Sequence, residues 1–171
     1  MDLPLSTIDV WTFQNEFSPV PFLRQLRKIL RDGDVIAVGS YSPSKRLTDS
    51  LIALGATETD VDVIYHVCFR FNRDEHPNGR SFELVTSDAI LDALVTEAQR
   101  SDGQDDKPLF FDHIVAYRRG IPVIHLLSFH DAFYGGELIV SGLYSEEIIR
   151  DFAAGLSSAF ERQQNPVISI R

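Results

Sequence analysis

From Ser18 onward the spacing of the hydrophobic positions changes several times, and each change marks an element. Between Ser18 and Arg31, Phe22, Leu23, Leu26, Ile29 and Leu30 recur at helical spacing, with Arg24, Arg27, Lys28 and Arg31 on the other side; this predicts an amphipathic helix. Ser18-Pro19 supplies a cap and first turn, and Asp32-Gly33 a stop, because glycine readily takes the left-handed conformation past a helix end. The run Asp34 to Gly39 predicts a short buried strand. Leu47, Leu51 and Leu54 then form a stripe over Ser44 to Leu54, a second helix that ends at Gly55.

The period changes to two over Val61 to Phe71, where Val61, Val63, Tyr65, Val67, Phe69 and Phe71 share one side and His66, Cys68 and Arg70 the other, the signature of a half-buried strand. His76-Pro77-Asn78-Gly79 reverses the chain, and Arg80 to Thr86 returns as a strand. Ile90, Leu91, Leu94, Val95 and Ala98 form a helical stripe within Ser87 to Arg100, followed by the polar segment Ser101 to Lys107. Leu109 to Tyr117 and Ile121 to Phe129 flank Arg118-Arg119-Gly120, which suits a three-residue hairpin turn. Gly136 to Ser141 adds a strand. Ser145 caps a helix with the stripe Ile148, Phe152, Leu156, Ala159 and Phe160, and Pro166 to Ile170 is expected as an edge strand.

This order predicts one α+β domain over residues 1–171. Its mixed or largely antiparallel sheet is built from two hairpins, about 61–86 and 109–141, packed by about four amphipathic helices. A doubly wound nucleotide-binding fold would alternate strand and helix throughout, and the second half of the chain does not.

Composition narrows the function classes. With 171 residues, 44% of them hydrophobic and 24% charged, the chain is long enough to bury roughly two-thirds of its unfolded surface in one core. Apolar runs such as Ile121 to Phe129 fall far short of the roughly 20 residues that span a bilayer, and no basic region precedes an apolar one at the N-terminus. Cys68 is the single cysteine, so no intrachain disulfide forms, which fits a reducing compartment and a cytoplasmic location. The net charge is −9, concentrated in residues 61–112, with 11 acidic against 5 basic residues. Such a surface repels phosphate backbones and argues against general nucleic-acid binding, while it can steer a basic protein partner.

Three segments hold candidate chemistry. Gly39-Ser-Tyr-Ser-Pro-Ser-Lys-Arg-Leu47 has Gly39 and Lys45 at the spacing of a phosphate-binding loop, but Ser44 stands where the second glycine belongs, Arg46 where the hydroxyl residue belongs, and Pro43 removes an amide donor. The weaker reading is an anion at the helix start beside Ser42, Ser44, Lys45 and Arg46. In the second hairpin a three-residue turn pairs Tyr117 with Ile121 and places His113 directly across from His125, where Glu137 or Asp131 would complete a divalent metal site. Cys68, with His66 and Arg70 on the same strand side, needs an imidazole from another strand to act as a nucleophile.

No complete catalytic signature appears, and no cofactor is expected. The leading expectation is a non-enzymatic protein-binding module of adaptor, inhibitor or immunity type. Its acidic contact surface comprises Glu83, Asp88, Asp92, Glu97, Asp102, Asp105 and Asp106. The alternatives are a metal-dependent hydrolase or small-ligand protein using the hairpin histidines, with a divalent metal as cofactor, and an anion-binding protein using residues 39–46.

Overall fold

The computed structural model describes residues 7–14, 17–59, 77–101, 111–120, 124–130, 132–133 and 136–166. Among these residues eight strands form one sheet: β1 (Thr7–Gln14), β2 (Val35–Ser40), β3 (Thr57–Thr59), β4 (Arg80–Val85), β5 (His113–Arg118), β6 (Ile124–His130), β7 (Leu138–Ser141) and β8 (Ala159–Pro166). Their order across the sheet is β3-β4-β2-β5-β6-β7-β1-β8. Every pairing is antiparallel. The helices are α1 (Pro19–Gln25, continued by a 3-10 turn over Leu26–Lys28), α2 (Lys45–Ala53), α3 (Asp88–Ser101) and α4 (Glu146–Leu156).

The alternation within each strand explains why the helices occupy one face. Neighbouring strands place Leu84, Ile36, Ala116, Leu127, Val140 and Trp11 opposite one another in one row. Phe82, Val38, Ile114, Phe129, Leu138 and Phe13 form a second row on the same face. Both rows belong to one apolar cluster with Phe22, Leu26, Leu51, Leu94 and Phe152 from the four helices and the 3-10 turn. Phe22 stacks 5.1 Å from Phe129, and Phe13 meets Phe152 edge-on at 5.4 Å. Burial on this scale is the principal favourable contribution to folding.

Helix ends follow the sequence closely. Ser44 and Ser145 accept hydrogen bonds from the amides of Leu47 and Ile148, as N-caps do. Ser18 precedes a proline first turn without a side-chain cap bond. Gly55 takes φ of +85° at its expected stop past α2, whereas α1 and its 3-10 turn end at Lys28, short of the expected stop, and Gly33, at φ +88°, lies in the turn that leads into β2.

Three further elements differ from the sequence expectation. The pattern assigns nothing before Ser18, yet Thr7–Gln14 is a strand between β7 and β8. The last helix ends at Leu156, because Ser157 turns left-handed at φ +53° and caps it; Ala159 and Phe160 therefore begin the edge strand rather than extend the helical stripe. In the second hairpin Tyr117 pairs with His125 and Arg118 with Ile124, instead of the Tyr117–Ile121 pair that a three-residue turn requires. The expected strand Val61 to Phe71 lies outside the described residues; of the first hairpin β4 is described, and it pairs with β3, a short strand that precedes the expected hairpin. Among the described residues no helix is long and apolar enough to cross a membrane.

Candidate functional site

The basic side of α1 faces acid supplied by the same chain. Arg27 reaches α3, where it pairs with Asp92 and donates to the backbone carbonyl of Asp88 at 3.1 Å. Its guanidinium also stands 3.5 Å from the Asp88 carboxylate. Lys28 turns to α4 and pairs with Asp151 at 2.9 Å. These pairs straddle the packing of α1 against both helices. The Asp88 and Asp92 side chains remain 86% and 69% exposed, so each contact with Arg27 is a solvent-screened pair worth about 1 kcal/mol or less.

Beside this clamp, a groove of about 460 Å³ lies between the two helices. Leu23, Leu91 and Val95 give it apolar lining, and Arg24, Arg27, Asp92, Thr96 and Gln99 give it polar lining. On α3, Asp92, Val95, Thr96 and Gln99 recur every three to four residues and so share one helical side. Glu97 sits apart from that stripe, accepting from Ser50 at 3.3 Å and Arg100 at 2.9 Å.

Of the expected acidic surface four residues are described, and they fall on two faces. Asp88, Asp92 and Glu97 share α3, but Glu83 follows Phe82 on β4 and lies on the sheet face away from the helices, because successive strand residues alternate. There it accepts a hydrogen bond from Tyr117 at 2.7 Å and lies 3.9 Å from Arg119. Asp102, Asp105 and Asp106 lie outside the described residues.

The loop from Gly39 to Leu47 is a strand-to-helix turn whose anion is internal. The Tyr41 amide donates to the Asp112 carboxylate at 2.6 Å, and the Asp112 amide donates to the carbonyl of Gly39 at 2.8 Å. Ser44 caps α2, and Lys45 pairs with Asp49 one turn on at 2.5 Å. Ser42 and Arg46 are exposed. Four backbone donors are open at any helix start, and here the Ser44 hydroxyl receives one from Leu47.

The sheet face away from the helices carries the polar groups of the second hairpin. Ala116 pairs with Leu127 and Tyr117 with His125, so Leu126 is one residue more than β5 can match. This bulge sends Leu126 and Leu127 together into the core. It also corrects the expected pairing of histidines: His113 pairs with His130, and His125 with Tyr117. His113 and His125 share a face but stand four positions apart along β5, about 13 Å.

Both histidines are buried. His125 Nε2 lies 2.5 Å from the Ser128 hydroxyl, and the His113 ring meets Tyr41 edge-on at 4.9 Å. A hydroxyl that close to an imidazole has the geometry of an activated nucleophile, but Ser128 is 2% and His125 8% exposed, so within the fold the two groups satisfy one another. Glu137 is exposed in the loop before β7, and Asp131 lies outside the described residues, as do His66, Cys68 and Arg70. Among the described residues no group of three or more His, Cys, Asp or Glu side chains is placed to hold a metal ion.

Two tyrosines are strongly perturbed. Burial first, and then the hydrogen bond to Glu83, push the Tyr117 phenol up to about 12. Burial likewise raises Tyr144 to about 12, and its hydroxyl donates to the carbonyl of Ile29 at 2.7 Å. The helix groove was not foreseeable from the chain, because its walls come from segments some 65 positions apart, as the Arg27–Asp92 pair shows. No protein-family model, curated protein or solved structure matches the chain.

Proposed function

We propose that the chain is a protein-binding module, acting in the cytoplasm, and that a basic segment of its partner docks along the groove between α1 and α3. The observation that carries this reading is the groove itself: about 460 Å³, with Leu23, Leu91 and Val95 among its lining residues and Asp92, Thr96 and Gln99 along its α3 side. An apolar side chain of the partner would sit against Val95, the partly exposed apolar residue of the groove, since Leu23 and Leu91 are buried beneath it. A guanidinium or ammonium of the partner would take the place of Arg27 at Asp92 and Asp88, an exchange that costs little because the existing pairs are exposed. The net charge of −9 favours encounter with such a partner.

The test is fluorescence anisotropy with short labelled peptides in which Arg or Lys flanks one Leu or Phe. Binding that weakens with salt, and is lost both in Asp88→Lys/Asp92→Lys and in Thr96→Trp, which fills the groove, is the expected result. Binding untouched by both variants would place the contact elsewhere.

A further inference from the structure

The outer edge of β8 is the longest unmatched row of backbone donors and acceptors among the described residues. The amide of Gly142 donates to the carbonyl of Asp9 at 2.8 Å, so Asp9, and with it Trp11 and Phe13, directs its backbone groups towards β7. The intervening Val10 and Thr12 direct theirs towards β8, where they meet Gln163 and Glu161. By the same alternation the backbone N–H and C=O groups of Phe160, Arg162 and Gln164 point away from β1. β8 is the last strand of the sheet, and Glu161, Arg162, Gln163 and Gln164 are all exposed.

We infer that this edge pairs with β8 of a second copy of the chain, antiparallel about a two-fold axis, to form one sheet continuous across a homodimer. A two-fold axis perpendicular to the sheet keeps each face on its own side, so a residue can stand opposite itself or opposite one an even number of positions away. β8 pairs with itself over its longest run in two such registers, centred on Arg162 and on Gln163. The first sets Arg162 against Arg162, which like-charge repulsion disfavours. The second sets Gln163 against Gln163, Arg162 against Gln164 and Glu161 against Asn165, with no like charges opposed. In that register the outward groups of Arg162 bond those of Gln164 in the second copy. The Arg162 side chain keeps its pairing with Asp9 at 2.8 Å and its position over the Trp11 ring. The inference does not depend on the helix groove, which lies between other elements.

Sedimentation equilibrium of the full chain across a wide concentration range tests it. A monomer–dimer equilibrium is expected, with the Gln164→Pro variant remaining monomeric: that proline removes an outward N–H and leaves the ladder to β1 intact. In a Cys68→Ser background, Gln163→Cys is expected to form a disulfide-linked dimer on mild oxidation. Opposed residues of a non-hydrogen-bonded pair have Cα atoms about 4.5 Å apart, within disulfide reach. Arg162→Cys in the same background should cross-link far less. A chain monomeric at every concentration overturns the proposal, and so does a dimer that survives Gln164→Pro or cross-links through Arg162→Cys in preference to Gln163→Cys. If Gln164→Pro fails to fold, the two cysteine variants decide.

Discussion

Arg118 holds the carboxylate of Asp34 through two hydrogen bonds, Nε to Oδ1 at 2.8 Å and a terminal nitrogen to Oδ2 at 3.0 Å, across 84 positions of chain. Asp34 is 1% exposed and also accepts from the Arg31 amide at 3.0 Å. The backbone carbonyl of Asp34 receives the amide and hydroxyl of Thr86. One carboxylate therefore ties the end of the α1 region to β5, while the carbonyl of the same residue ties it to the end of β4. The Asp34 carboxylate in turn raises the pKa of the Arg118 guanidinium, chiefly through their hydrogen bond.

Removing one partner of this pair leaves the other without its counter-charge in a desolvated place. Arg118→Leu should destabilise the fold by roughly 3 kcal/mol, read as a lowered urea midpoint with unchanged slope. A loss within the scatter of exposed pairs such as Lys45–Asp49 would show that Asp34 finds solvent when released.

Two glycines should respond differently to alanine. A Cβ on Gly142 would fall 2.3 Å from the backbone oxygen of Asp9, and one on Gly155 2.1 Å from the side-chain amide of Gln25. Backbone cannot step aside, whereas a glutamine amide can. Gly142→Ala should therefore cost the more, about 1–3 kcal/mol or above for forced overpacking. The cost of Gly155→Ala should shrink in a Gln25→Ala background, which also removes a buried Oε1 that has no hydrogen-bond partner among the described residues. Thermal melts of the four variants, read as a double-mutant cycle for the Gly155–Gln25 pair, check both statements.

Alkali should unfold the protein through its buried phenols. Tyr117 and Tyr144 both hold their protons up to about 12 in the fold, against about 10 in the unfolded chain. A raised pKa means the folded state binds more protons over that window, so this stability is complete below pH ~10 and falls as pH rises towards ~12. Tyr144→Phe should flatten the decline of melting temperature between those values, at the cost of the bond to Ile29. Tyrosinate absorbance measured alongside should show these two rings ionising late. Early ionisation of all the tyrosines would contradict the assignment.

His125 and Ser128 satisfy one another inside the fold. Ser128→Ala should lower stability by about 1–3 kcal/mol, the cost of removing a partner from a buried polar group. A melting temperature unchanged by this substitution would show that the hydroxyl contributes nothing at that place.

How much of this was legible in the sequence depended on the range of the interaction. Helices α2, α3 and α4 lie close to their expected starts, because serine caps and apolar stripes act over a few residues. β1 escaped although Trp11 and Phe13 alternate with Val10 and Thr12; an eight-residue strand flanked by polar residues gives little contrast. The end of α4 was hidden because Ser157 rather than glycine makes the left-handed cap. The register of β5 against β6 could not be deduced, since the adjacent Leu126 and Leu127 do not show which of them is the extra one. The charge on α1 is the plainest case: its basic side looked solvent-facing, and its partners on α3 and α4 were visible only once the helices were packed together.

Amide chemical-shift mapping of the intact protein, titrated with a short Arg- and Leu-containing peptide, tests the binding account most directly. The account predicts shifts concentrated from Leu23 to Arg27 and from Leu91 to Gln99, absent in Asp88→Lys/Asp92→Lys. Shifts confined to other surfaces, or a groove that stays silent while the peptide binds, would contradict it.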